Sequence, residues 1–179
     1  YWPALILFFG FAWLELVHPS PMDPETLAGF ISLYVLFTTV GIIFLGGEFW
    51  LKNGEPFSVL FRMVGWLAPF YLIRSPGNKS LLRIGIRWPC AGLLRSESLP
   101  TGGVAFVILV LSTVSFDGLS KTFWWLSLVE KNPLEYPGRT EMMMPNTLGL
   151  CITFMIFFSA FYSVQRLASW LNPEAQQTS

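Results

Sequence analysis

The chain has 179 residues, of which 53% are hydrophobic, 17% aromatic and only 12% charged, with eleven basic and eleven acidic residues in balance. Soluble domains carry about twice that share of charge, and a mean hydropathy of +0.55 points the same way. The balance excludes nucleic-acid binding, which needs a basic surplus, and an acidic disordered tail.

The first apolar run is WPALILFFGFAWLELV (2–17). Pro3 suits the first turn of a helix, where a missing N–H costs nothing. Trp2 and Trp13 are placed as interfacial anchors. The run is short for a span and carries Glu15 near its end. It starts at Tyr1 with no Met, no basic region before it and no small-residue cleavage site after it. That pattern is not a signal peptide, and it reads as the C-terminal portion of a longer protein.

HPSPMDPE follows, and its three prolines stop one helix and start another. Next comes TLAGFISLYVLFTTVGIIFLG (26–46), uncharged throughout. At ~1.5 Å per residue, about 21 residues of helix cover roughly 31 Å, the thickness of a bilayer's hydrocarbon. A core helix of a soluble domain is seldom apolar on every face for so long. Asp23 and Glu25 suit the positive end of its dipole. The two runs predict a helical hairpin across the membrane.

Between Glu48 and Pro100 the character changes. Lys52, Arg62, Arg74, Lys79, Arg83, Arg87 and Arg95 all fall here, which the positive-inside rule assigns to the cytoplasm. The segment 57–73 is apolar but interrupted by Arg62 and Pro69. A full crossing would bury Arg62 at a cost of ~2.5–3.5 kcal/mol unless it were paired, so a re-entrant or interfacial helix is expected. Thr101–Leu119 is the next span, followed by an aromatic belt at Phe123, Trp124 and Trp125. The last span is predicted over 146–170, and 172–179 is a polar tail. The fold expected is an all-α, polytopic transmembrane helix bundle occupying 1–171. It has about four spans (2–17, 26–46, 101–119, 146–170) and one re-entrant or interfacial helix. The N-terminus, the 48–100 region and the C-terminus face in. The HPSPMDPE connection and the 120–145 loop, with Lys121, Lys131 and Arg139, face out.

Ionisable groups at membrane depth are expensive and so are candidates for function. Glu15 and His18 are three apart and share a helix face. A Glu-x-x-His pair is half of some carboxylate-bridged metal centres, yet His18 is the only histidine. The alternative is a carboxylate near the interface pairing with its neighbour. Asp117 ends a long apolar helix, either lining a polar cavity beside Glu15 and His18 or simply wetted at the helix end. Glu48 and Glu55 flank Lys52, and either carboxylate is a candidate to neutralise Arg62 inside the bundle. Glu48 and Lys52 are otherwise a solvated i,i+4 pair. The run Glu141-Met142-Met143-Met144 suggests soft-metal binding less than packing at the bilayer edge, since adjacent side chains diverge. Cys90 and Cys151 read as structural. No nucleotide-binding, hydrolase-elbow or zinc-protease motif is present.

Four stretches, WPALILFFGFAWLELVHP (2–19), GEFWLKNGEPFSVLFRMVGWLAP (47–69), RWPCAGLL (87–94) and TVSFDGL (113–119), resemble a family of bacterial polytopic membrane proteins labelled fenitrothion hydrolase. The resemblance covers most of the chain, as the C-terminal half of the family protein, and implies the bacterial cytoplasmic (inner) membrane. The label implies hydrolysis of an organophosphate triester, which usually wants a metal-activated water. A divalent metal here needs ligands from a missing N-terminal part. Three functions remain open. One is a membrane hydrolase using Glu15, His18 and Asp117. Another is a transporter or channel component whose carboxylates and Arg62 form a proton or solute path. The third is a structural subunit. The partners expected are the lipid bilayer and the N-terminal helices of the same longer protein or a partner subunit, with no nucleic acid.

Overall fold

The apolar runs fold as helices whose ends are set by proline, glycine and capping carboxylates. In the computed structural model, which describes residues 1–75, 78–95, 98–130 and 140–171, helix α1 covers Trp2–Leu16 with Pro3 in its first turn. Its 15 residues extend about 22 Å, less than a hydrocarbon core of ~30 Å. Helix α2 covers Pro24–Leu45, capped by the Asp23 carboxylate, which accepts the Thr26 N–H at 2.9 Å. It stops at Gly46, whose φ of +84° lies where side-chain-bearing residues are rarely found.

There the chain reverses into α3 (Gly47–Asn53). Helix α4 (Pro56–Leu67) then begins on Pro56 with Glu55 as its cap. The apolar segment 57–73 is therefore not one helix, and its last residues become a strand. Strand β1 (Phe70–Ser75) pairs antiparallel with β2 (Asn78–Ile86), Phe70 opposite Ile86 and Leu72 opposite Ile84. Pro69 cannot donate to a continuing helix, and Phe-Tyr-Leu-Ile after it favours an extended chain.

Helix α5 is Thr101–Ser120, α6 is Phe123–Val129 and α7 is Met143–Leu171. The predicted aromatic belt thus folds as α6, with Phe123 and Trp124 exposed and Trp125 buried. Helix α7 starts ahead of Asn146 and takes Pro145 into its first turn. The polar tail at 172–179 lies outside the described residues, as do Lys131 and Arg139.

Among the described residues three stretches are long and apolar enough to cross a membrane: Pro24–Leu45, Thr101–Ser120 and Thr140–Leu171. The chain is an all-α helix bundle, with one short β-hairpin attached.

Packing gives each helix a direction. Phe8 of α1 meets Phe106 of α5 edge-on at 5.4 Å, and Gly102 lies against Tyr1 and Trp2, so α1 and α5 run the same way. Near the far end of α1, Trp13 donates its indole N–H to Thr147 at 3.1 Å, so α7 runs back. One core joins Ala4 and Phe8 of α1, Val59 and Met63 of α4, and Phe106 and Leu109 of α5. A second joins Phe116, Trp125 and Leu150. Gly149 lets these rings close up, because a Cβ there would overlap both Phe116 and Trp125. Thr153 and Ser112 return their hydroxyls to the Gly149 and Ile108 carbonyls of their own helices, which satisfies them where no water reaches.

Candidate functional site

Helices α3 and α4 together make a hairpin that turns back on itself beside α2. The indole of Trp50 (3% exposed) lies on Gly41 of α2, where a Cβ would come within 2.5 Å of the ring. Its ring centroid is 5.7 Å from that of Phe37. Helix α3 thus climbs back along the last turns of α2. Gly54 lies under the same indole, and Glu55 and Pro56 then turn the chain into α4. Helix α4 descends alongside α1, with Phe57 edge-on to Phe11 at 5.3 Å and Arg62 beside Tyr1.

Glu55 sits at the apex, 6% exposed. Its Oε1 accepts the Phe57 N–H at 3.0 Å and the Tyr34 hydroxyl, and its Oε2 accepts the Ser58 N–H. Glutamate serves here as the N-cap, meeting the amides that open α4 and the positive end of its dipole. Tyr34 comes from α2, so the bond fastens the apex to a separate helix. Tyr34 is the eleventh of the 22 residues of α2. It therefore stands about 15 Å from either end of that helix.

Arg62 complements the other half of the hairpin. It donates to the Lys52 carbonyl at 2.6 Å and to the Tyr1 hydroxyl at 3.1 Å, and its guanidinium carbon lies 5.7 Å from the centre of the Tyr1 ring. The Lys52 carbonyl belongs to the last turn of α3, where no further helical N–H is available and a cation suits the dipole. Arg62 is therefore partnered by a carbonyl and a phenol, and neither Glu48 nor Glu55 lies within ion-pair distance of it. The Glu55 carboxylate expected beside Arg62 caps α4 instead, because the Phe57 and Ser58 amides lie two and three residues along, nearer than the guanidinium. Glu48 is in the first turn of α3, exposed.

The other three candidates lie at the opposite end of the bundle and do different things. His18 follows the end of α1 with its ring between Trp13 and Phe30, at 5.9 Å from each. Its Nδ1 accepts the Ser20 N–H at 3.2 Å. That bond holds the imidazole against the turn after α1. Asp117 makes an ion pair with Lys121 at 2.7 Å, one turn along α5. Glu15 is exposed on α1. Among the described residues no group of three or more His, Cys, Asp or Glu side chains is arranged to hold a metal. Nearby, the Asp23 carboxyl is held below the ordinary range by the Thr26 amide it accepts and, to a smaller extent, by His18.

Two open troughs mark the surface, one along Asp23, Thr26, Phe30 and Leu33 and one along Tyr162, Arg166 and Ser169. Neither includes Glu55, Glu15, His18 or Asp117. The sequence reading missed Tyr34, Trp50 and Tyr1. Tyr34 carried a legible signal, since a phenol halfway along an apolar span needs a partner. Trp50 and Tyr1 depend on where α3 and α4 fold back, which no local pattern announces. Comparison with protein-family models, with curated proteins and with solved structures found no match.

Proposed function

We propose that the protein is a multi-pass membrane protein in which α3 and α4 form a re-entrant hairpin, and that Glu55 at its apex belongs to a proton or solute path. The observation that supports this most directly is the Tyr34–Glu55 hydrogen bond. If α2 crosses the bilayer, that bond lies near mid-depth. A carboxylate at that depth is costly and is kept where it pairs or moves charge. Half-helices meeting at mid-depth, one ending and one starting, are the way helical transporters put dipole ends beside a permeating species. Here α3 ends beside Arg62 and α4 starts on Glu55. Irregular backbone at such depth is tolerated where protein or a wet cavity covers it.

A helical bundle of this kind suits the bacterial cytoplasmic membrane, in keeping with the family resemblance, whereas outer-membrane proteins are barrels. The hydrolase that the family label implies has less support. Asp117 is engaged by Lys121, and the His18 ring is held against the turn after α1 by the Ser20 amide.

The test is to reconstitute the protein in vesicles containing a pH-sensitive dye and to impose a pH gradient. The gradient should collapse faster than in empty vesicles, and Glu55→Gln should return the rate to that of empty vesicles. Tyr34→Phe should slow it while leaving the helix content measured by circular dichroism unchanged. Wild-type vesicles no leakier than empty ones, across protons and a panel of small ions, would remove the proposal.

A further inference from the structure

The β1–β2 hairpin has two unlike faces. On one, Tyr71 lies over Gly85, and Arg87 places its guanidinium carbon 5.6 Å from the centre of the Tyr71 ring. Arg87 then reaches the end of α4, donating to the Ala68 carbonyl at 3.0 Å and the Gly65 carbonyl at 2.9 Å. The Gly65 carbonyl also accepts the capping Ala68 N–H at 3.3 Å, and the carbonyls of a last helical turn have acceptor capacity to spare, so the arginine fastens the hairpin to the bundle at that end.

Ile84 and Ile86 are two apart on β2 and so share a side, and Phe70 is the register partner of Ile86. They are 73%, 78% and 61% exposed, and Trp88 just beyond the strand is 86% exposed. A soluble surface does not gather such residues on one small face without something to cover them.

Charge identifies the cover. Between Pro56 and Ser96 the chain carries Arg62, Arg74, Lys79, Arg83, Arg87 and Arg95 and no Asp or Glu. Three of these, Arg74, Lys79 and Arg83, fall on the two strands. The hairpin lies at the end of the bundle where α4 finishes and where α1 and α5 begin. An apolar face with a tryptophan at its margin and an unopposed basic surplus matches a leaflet of acyl chains under anionic headgroups. A protein partner would need acidic groups to meet the same surplus, and would not account for the hairpin's place at the end of the bundle where the membrane-length α5 begins.

We propose that the β1–β2 hairpin is an interfacial anchor that lays its Phe70, Ile84 and Ile86 face, together with Trp88, into a bilayer leaflet bearing anionic headgroups. It holds the end of α4 at the membrane surface through Arg87. This is independent of any transport through the apex.

The exposed thiol of Cys90 allows a direct test, two residues from Trp88. An environment-sensitive fluorophore is attached there in a Cys151→Ser background, and the protein is reconstituted in phosphatidylcholine vesicles with or without phosphatidylglycerol. Quenching by a lipid carrying a nitroxide at its headgroup should be stronger with phosphatidylglycerol, and high salt should weaken the difference. Neutralising Arg74, Lys79 and Arg83 to Gln should reduce the preference for the anionic lipid by about tenfold or more. Ile84→Ser with Ile86→Ser should lower quenching in both vesicles. Equal quenching in the two lipids, or a label fully open to aqueous iodide in both, overturns the proposal. So does quenching that the triple variant leaves unchanged.

Discussion

Glu55 and Asp117 are both carboxylates beside long apolar helices, yet the fold uses them in opposite ways. Glu55 is buried at an apex and accepts donors from two helices, the α4 amides and the Tyr34 hydroxyl. Asp117 is half-exposed and bonds to a lysine on its own helix. The first ties together segments distant in sequence. The second contributes what an exposed i,i+4 pair contributes, which is little. Nearness to an apolar run therefore says where a charge is costly, and only the packing of other elements says whether the cost is incurred.

The comparison can be broken most severely at Glu55. Truncation to Ala removes the α4 cap and leaves two amides and the Tyr34 hydroxyl without their acceptor, a loss of about 3 kcal/mol. Chemical denaturation in detergent, compared with wild type, checks this. A loss no larger than that of an exposed carboxylate would show that the apex is open to water.

Next in size is Gly41→Leu. The Trp50 indole occupies the place of the new side chain, so α3 must move off α2 or the ring must leave its seat. About 2 kcal/mol is expected, within the range for overpacked cores. The change should also expose Trp50 and shift its emission to the red. A variant as stable as wild type with unchanged emission would mean that α3 does not lie against α2.

The smallest effect belongs to Asp117→Asn. Removing a half-exposed i,i+4 ion pair should cost about 0.3–0.5 kcal/mol, shrinking further in salt. A loss of several times that, or loss of a catalysed phosphotriester hydrolysis, would return Asp117 to the centre of the functional account and weaken the contrast with Glu55.

Much of the fold was legible. The uncharged run 26–46 required a helix of bilayer length, and the prolines and acids of HPSPMDPE marked the start of α2 at Pro24. Arg62 inside an apolar stretch signalled that 57–73 is not a simple span, and α4 does end at Leu67. The β-hairpin after it was not foreseen, because a few β-favouring residues behind a proline are outweighed by the apolar context until strand pairing is seen. The site was legible only in part. Glu55 is legible as a candidate, but the sequence pairs it or Glu48 with Arg62, on the same segment, rather than with Tyr34 on α2.

By itself the sequence determined which segments are helical and apolar, where charge is scarce and where basic residues collect. These follow from composition, hydrophobic length and helix-terminal chemistry, which act over a few residues. Only the tertiary structure decided that Glu55 meets Tyr34, that Arg62 closes the end of α3, and that Arg87 fastens the hairpin to α4 while Phe70, Ile84 and Ile86 stand exposed. The reason is that a hydrogen bond or a ring contact between segments 21 or 61 residues apart, such as Tyr34 to Glu55 or Tyr1 to Arg62, depends on where the chain reverses. Those reversals rest on Gly46 at φ +84° and on the fit of Trp50 against Gly41.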